Sequence, residues 1–386
     1  VRRVVAAFAA LAVAAVPRAA RAQGADTARG GVSDSARAAR ADSLRADSAA
    51  AAGSLGPFVL PGVFYTPETD IGVGVGALWV RAHRVAGTRP STYSVNAIAT
   101  RNGQFTLAGS ADAWTAGNRW HLTFDGTLSK YPYRFYGIGT ANVDSGETYT
   151  PLMRILAVTV QRQLAPGVYV GVRTAYDDVD VSDVAPGAQL ATATGATGWR
   201  LVTLGLMANR DTRDRLYWPS TGSFVGVTAS RAFGHLGSTH PFSRYTVDAR
   251  RYLTLTGEHI LAVQGWGDFT DGLVPFDRLP QLGGQAIARG YLIGRFRDQQ
   301  ALALQGEYRS APFRVLEEVP RVAVVAFLGA AATAPTTGAF ATDRAHVSGG
   351  LGLRYALTLP DRYHLRLDYG IARGSSAFSI TVGEAF

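Results

Sequence analysis

From Phe58 to Phe386, polar and apolar side chains alternate with a period of two, the mark of strands that face two different surroundings. In residues 363–372, Tyr363, Leu365, Leu367, Tyr369 and Ile371 share one face, and His364, Arg366, Asp368, Gly370 and Ala372 share the other. In 119–129, Trp120, Leu122, Phe124, Gly126 and Leu128 oppose His121, Thr123, Asp125, Thr127 and Ser129. In 346–357, Val347, Leu351, Leu353, Tyr355 and Leu357 oppose Ser348, Gly350, Gly352 and Arg354. A soluble sandwich alternates too. Two features point elsewhere. Many of the runs reach ten residues or more, against about five or six in soluble sheets, and no long apolar helix accompanies them. Within a bilayer only a closed barrel satisfies such a backbone. The predicted fold is therefore all-β: a transmembrane antiparallel β-barrel of about sixteen strands.

The strands are expected at 57–66, 70–83, 89–101, 103–116, 118–130, 150–163, 166–179, 200–211, 222–233, 242–256, 258–270, 299–310, 320–331, 345–357, 361–372 and 376–386. Alternate connections include the tight Thr115–Asn118, Ala165–Gly167, Thr256–Glu258 and Leu359–Asp361, while the other set holds the long 131–149, 180–199, 271–298 and 332–344. Short turns on one side and long loops on the other are the habit of outer-membrane barrels, and they argue for an even number of strands. Trp79, Trp114, Trp120, Tyr131, Tyr133, Trp218 and Trp266 lie near strand ends, where interfacial girdles belong. At the end of the sequence Phe378, Ile380, Val382 and Phe386 repeat at period two, similar to the C-terminal signal read by the bacterial outer-membrane assembly machinery. Glu384 falls in the same outward phase, tolerable only at the headgroup boundary.

The first residues change where the protein is placed. Arg2 and Arg3, the apolar run 4–16 and the small-x-small Ala20-Arg21-Ala22 predict a cleavable signal peptide over 1–22. Residues 23–56, rich in Ala, Asp, Arg and Ser, bury too little to offset their ordering entropy and are expected to be a disordered periplasmic tether. A short helix that plugs a larger structure is the other reading of that segment. The barrel is assigned to 57–386. Cysteine is absent, so an exported chain is stabilised here without disulfides. The net charge of +9 includes Arg2, Arg3, Arg18 and Arg21, and no basic run alternates with aromatics, so no nucleic-acid partner is indicated.

Residues 282–298, LGGQAIARGYLIGRFRD, are too irregular for a strand and too glycine-rich for a helix. The Gly283-Gly284 pair followed by Arg289-Gly290-Tyr291 resembles the loop of the BamA/TamA superfamily of outer-membrane assembly and translocation barrels. The resemblance implies a loop between strands eleven and twelve that folds into the lumen, its arginine pinned to an acidic residue on the inner wall. In 301–309 (ALALQGEYR) the phase of Ala303, Gln305, Glu307 and Arg309 points inward, so an Arg289–Glu307 pair is expected. The family's Phe-x-Asp-x-Gly reads Phe327-Leu328-Gly329-Ala330-Ala331 here, leaving Gly329 where the Asp would be; Asp368, inward on strand fifteen, is the candidate substitute. Gly294, Arg295, Arg297 and Asp298 at the loop's end have charges to pair internally or along the lumen. Asp211, Arg213, Asp214, Pro219 and Gly222 resemble the family's Asp-x-Arg-Asp…Pro-x-x-Gly periplasmic turn, and FYGIG (135–139) is similar to an aromatic-glycine element of shorter members. Full-length members carry periplasmic POTRA domains; 23–56 is too short for one, so the resemblance is to a barrel-only member.

Catalytic chemistry is not suggested. His235 and His240 share a loop without a ligand set for zinc, GVGVGA (72–77) alternates along a strand instead of opening a helix, and no Gly-x-Ser-x-Gly elbow occurs. No metal, cofactor or enzymatic activity is expected. The resemblance implies an integral outer-membrane protein that inserts or translocates protein, or moves lipid, through a weak seam between the first and last strands. Pro61 and Gly62 are expected to weaken that first strand. Its implied partners are outer-membrane lipid and lipopolysaccharide, the assembly machinery, and unfolded protein or lipid clients. The alternative is a passive diffusion channel or scaffold that keeps the fold without assembly activity.

Overall fold

The computed structural model describes residues 55–66, 70–83, 85, 87–141, 144–313, 322–357 and 363–386. The expected signal peptide, and all but the end of the expected tether, lie outside them. Nineteen strands are present, three of them short stubs at Tyr133–Phe135, Gln281–Leu282 and Phe296–Arg297. The other sixteen make the wall: β1 Leu55–Thr66, β2 Asp70–Arg81, β3 Ser91–Thr100, β4 Phe105–Trp114, β5 Trp120–Lys130, β6 Glu147–Ala165, β7 Val168–Ser182 and β8 Gly198–Asp211. The second half is β9 Gly222–Ala232, β10 Phe242–Thr254, β11 Ile260–Gly272, β12 Gln300–Arg309, β13 Val322–Ala334, β14 His346–Ala356, β15 His364–Ala372 and β16 Ser375–Val382. Each pairs antiparallel with the next in sequence. This is the expected barrel, with strand ends displaced by a few residues.

Contacts across the interior require the sheet to curl on itself. Arg89, between β2 and β3, reaches Asp211 at the end of β8 (2.7 Å). Trp218, between β8 and β9, meets His364 of β15 at 4.5 Å between ring centres. The β1–β2 register runs unbroken from Phe58 to Thr66, through Pro61 and Gly62. Among the described residues no register joins β16 to β1.

The outward faces carry the apolar phase: Leu156 and Val158 on β6, Leu204 and Leu206 on β8, Leu351 on β14, Tyr369 and Ile371 on β15 are all exposed. Outward Arg154 and Arg162 bracket this band on β6, and Arg162 lies over the ring of Trp120 (5.7 Å). The strand between them rises roughly 26 Å along its axis, about 20 Å once tilted, close to the height of a lipid-facing band.

The lumen is lined unequally. On β3 to β5 the inner wall is polar and lightly tied: Ser94 is bonded to Ser110 (2.8 Å), Thr106 to Ser129 (2.7 Å), and His121 reaches Asp112 and Gln161 (3.0 Å each). On β10 to β15 it is ionic and filled: Arg244 pairs with Asp268, Arg250 with Asp248, and the Gln305 side-chain amide donates to Gln264 (2.7 Å).

Three expectations need correction. The last strand stops at Val382, because Gly383 takes a left-handed φ of 89° and reverses the phase. Phe378, Ile380 and Val382 do face outward, but Glu384 and Phe386 turn into the lumen and are buried. An unpaired carboxylate facing lipid is thereby avoided. Second, Trp114 and Trp218 are not girdle residues: both are buried, Trp114 stacked on His121 (3.8 Å) and Trp218 beneath Arg309 (5.0 Å). Trp266 packs against the infolded loop. Trp79 and Trp120 remain exposed. Third, the connection lengths are less regular than expected: at the short-turn end about ten residues separate β2 from β3, β8 from β9 and β12 from β13, and 101–104 and 373–374 are tight at the other.

Candidate functional site

The β11–β12 connection, 273–299, enters the lumen and ends its excursion at Arg289, which is 3% exposed. Its guanidinium Nη1 lies 2.6 Å from Glu307 Oε1 and donates to Asp368 Oδ2 at 3.0 Å. The plane of the group covers the Phe327 ring at 3.7 Å. Gly329, two residues on, leaves room that Gln305 uses: a Cβ at 329 would stand 2.8 Å from the Gln305 Cβ. The Gln305 amide in turn donates to the Ala286 carbonyl of the loop (2.9 Å). The second carboxylate thus comes from β15 and not from β13.

Sequence reading named one arginine here; the site holds four. Arg354 of β14 ties Asp368 Oδ1 (2.6 Å) to Glu384 Oε2 (2.7 Å), with Glu307 at 3.9 Å. Arg309 of β12 holds Glu307 Oε2 (2.8 Å) and donates to the Phe386 carbonyl (3.1 Å). Arg366 donates to Thr381 (2.7 Å) and to the loop carbonyl of Gln285 (2.8 Å). His364 Nδ1 lies 3.2 Å from Glu384. Burying this much charge requires that every ion be matched. Here four guanidinium groups face Glu307, Asp368 and Glu384. The surplus positive charge rests on aromatic faces and carbonyls, since Arg309 also covers Trp218, Tyr252 and Phe386.

The loop touches the wall backbone to backbone. Gly290, at φ 110°, lies on Gly370 of β15, so that a Cβ on Gly370 would sit 2.6 Å from the Gly290 nitrogen. The Ser375 hydroxyl at the start of β16 donates to the Gly290 carbonyl (2.8 Å). Gly284 N–H donates to the Tyr291 carbonyl (2.9 Å), closing the loop's two arms, and Tyr291 packs with Phe296 and Leu282. Neither backbone can yield to a side chain at 370. Gly370→Val should therefore cost about 1–3 kcal/mol and lift the loop from the wall. Limited trypsin digestion of the folded barrel should then cut at Arg289 or Arg295, where the parent resists; equal resistance would mean the contact does not hold the loop.

The remaining charged residues of the loop serve its outer part. Arg295 pairs with Asp144 of the 131–146 connection (2.6 Å). Arg297 is buried without a carboxylate among the described residues: it donates to the Phe276 and Gly294 carbonyls (3.3 Å each) and covers Phe135 at 5.0 Å. Asp298 accepts from the Gln299 N–H (2.8 Å), and burial raises its carboxyl above the ordinary range. Above the lumen these connections form a packed dome. Phe276 lies edge-on to Phe135, Tyr149 and Trp199, and Leu190, Val274 and Leu279 complete the cluster. Polar ties fix it: Tyr149 donates to Asp277 (3.0 Å), and Glu147 accepts from the N–H groups of Gln189 and Leu190 (2.8 Å each). The FYGIG element lies here, Gly139 N–H donating to the Arg297 carbonyl (2.8 Å).

At the opposite end, Arg213 grips Asp211 with Nε (2.9 Å) and Nη2 (2.8 Å), and Arg89 joins them. Asp214 accepts from the Ser220 hydroxyl (2.6 Å) and from the N–H groups of Ser220 and Thr221. Burial opposes its ionisation, but these donors prevail and hold the carboxyl below its ordinary range. Pro219 is buried beside Trp218, and Gly222 opens β9. The turn thus places Trp218 under the ionic cluster. His240 meets only Thr239 (2.8 Å), and no group of residues suited to a metal ion exists among the described residues.

The model of the Omp85 superfamily domain matches residues 90–386. Among solved structures, the chain is similar to BamA from Haemophilus ducreyi lacking POTRA domains 1–3, with 14% identity and a TM-score of 0.55 over 84% of this chain and 69% of that one. It is also similar to CdiB from Acinetobacter baumannii (11%, TM-score 0.52) and CdiB from Escherichia coli (11%, TM-score 0.54). It spans 59% and 61% of those two chains, so the likeness is one of barrel fold. No curated protein matches the sequence.

Proposed function

Because the chain belongs to the Omp85 superfamily, we propose that this outer-membrane barrel works in outer-membrane biogenesis, delivering protein or lipid sideways into the bilayer between β1 and β16. The observation that carries this reading is where the lumenal loop is fastened. Gly290 rests on β15 and accepts from Ser375 at the start of β16, and Arg289 and Arg354 bind the tail beyond β16 into one ionic cluster. The loop, the last strand and the tail therefore move together or not at all. The edges of β1 and β16, which no register joins among the described residues, are strand templates of the kind that accept another strand. The dome favours lateral release over passage along the axis, because Phe276 and its neighbours occupy the mouth at the long-loop end.

Refolded barrel in liposomes should speed the folding of a second, unrelated barrel added in urea, while conducting little. Conductance without any acceleration would favour the passive channel and remove the assembly reading.

A further inference from the structure

The outer wall from β6 to β10 carries a feature that neither the latch nor the seam uses. Near its long-loop end an outward row reads Arg154–Asp178–Arg200, three residues directly opposed in register, with Asp180 of the next row adding to Arg154 (3.0 Å). These charges satisfy one another. Two same-face rows further into the wall, the register runs Val158–Thr174–Leu204–Arg231–Ser243. Arg231 thus shares a ladder row with apolar residues on β6 and β8, and lies one residue from the end of β9. No carboxylate accompanies it among the described residues: it reaches the Ser243 hydroxyl at 3.5 Å and the Phe233 ring at 5.9 Å. Arg231 forms the upper lining of an outward groove of about 800 Å³ whose sides include Val158, Val172, Leu204, Leu206 and Tyr245. A second groove, about 630 Å³, shares Leu206, Ala229 and Tyr245 and continues toward the short-turn end past Ala208 and Val227. The small residues Ala208 and Ala229 between bulky neighbours create the furrow.

We propose that this furrow is a binding site for a membrane lipid with a phosphate headgroup, its acyl chain lying over Ala229 and its phosphate on Arg231. An arginine on the lipid-facing side gains by reaching a counter-charge, and among the described residues the protein supplies none. A lipid phosphate supplies it with a charge-assisted hydrogen bond. The furrow has the size of a ligand site and an almost wholly apolar lining. Arg154 and Arg200 are already matched, and Arg231, on the furrow's lining, is the guanidinium placed to select for negative charge. The site requires only that the barrel sit in lipid, so it stands or falls separately from the assembly function.

The absence of cysteine makes the test clean. A single bimane on Leu206→Cys reports the furrow, and one on Leu351→Cys, on the far wall, reports ordinary boundary lipid. Barrels are placed in phosphatidylcholine vesicles containing brominated phosphatidic acid or equally brominated phosphatidylcholine. At 206, phosphatidic acid should quench at about fivefold lower mole fraction; at 351 the two lipids should quench alike. Arg231→Gln should erase the preference at 206, Arg162→Gln should keep it, and Ala229→Phe should weaken quenching by both lipids. Equal quenching at 206, a preference that survives Arg231→Gln, an equal preference at 351, or displacement by millimolar inorganic phosphate would each overturn the proposal.

Discussion

Arg289→Ala lowers the stability of the folded barrel by about 3–5 kcal/mol, because it leaves Glu307 and Asp368 buried with one ligand fewer each. The loss is read as the temperature at which the compact electrophoretic form disappears, or as the urea midpoint in detergent. Arg295→Ala is the matched control. Its partner Asp144 is 98% exposed, and such pairs contribute about 0–1 kcal/mol. If the two variants melt together near the parent, the lumenal arginine is not what holds the interior. Glu307→Gln separates charge from shape, and should be as damaging as Arg289→Ala because Arg309 and Arg354 also lose their carboxylate.

Phe276→Ala should cost about 3–5 kcal/mol, the usual range for a fully buried phenylalanine, and it should also open a path. The ring fills the space between Phe135, Tyr149 and Trp199 at the centre of the dome. The variant should show a clear rise in single-channel conductance over the parent in planar bilayers. A destabilised but non-conducting variant would place the seal below the dome, at the latch itself.

The wall was legible because each of its residues obeys a local rule. Arg366 and Asp368 on β15 and Arg354 on β14 fall in the inward phase of an alternating segment, so their direction could be read from sequence, although only Asp368 was named as a partner. The Arg289–Glu307 proximity followed from that phase together with the family resemblance. What stayed hidden depends on contacts without period. Nothing around Phe276 or Trp218 distinguishes a ring that fills a dome, or one that underlies a cluster, from a ring at the lipid interface. The inward tail turns on Gly383 alone. One left-handed residue reverses the phase of everything after it, and strict alternation through 386 sends Glu384 to the wrong side. A glycine immediately before an acidic residue in an otherwise lipid-facing phase was the available signal.

The unequal lining of the lumen has a mechanical consequence. Strands β10 to β15 are cross-braced from within by guanidinium–carboxylate ties and by the infolded segment, whereas β3 to β5 are held by their ladders, a few hydroxyl pairs and the contacts of His121 with Asp112 and Gln161. Elastic strain on the ring, whether from a thinner membrane or from a pulled terminus, will collect in the unbraced staves. Their amides should exchange with solvent earliest and their hairpins should peel first under force, leaving the braced half standing as an open trough.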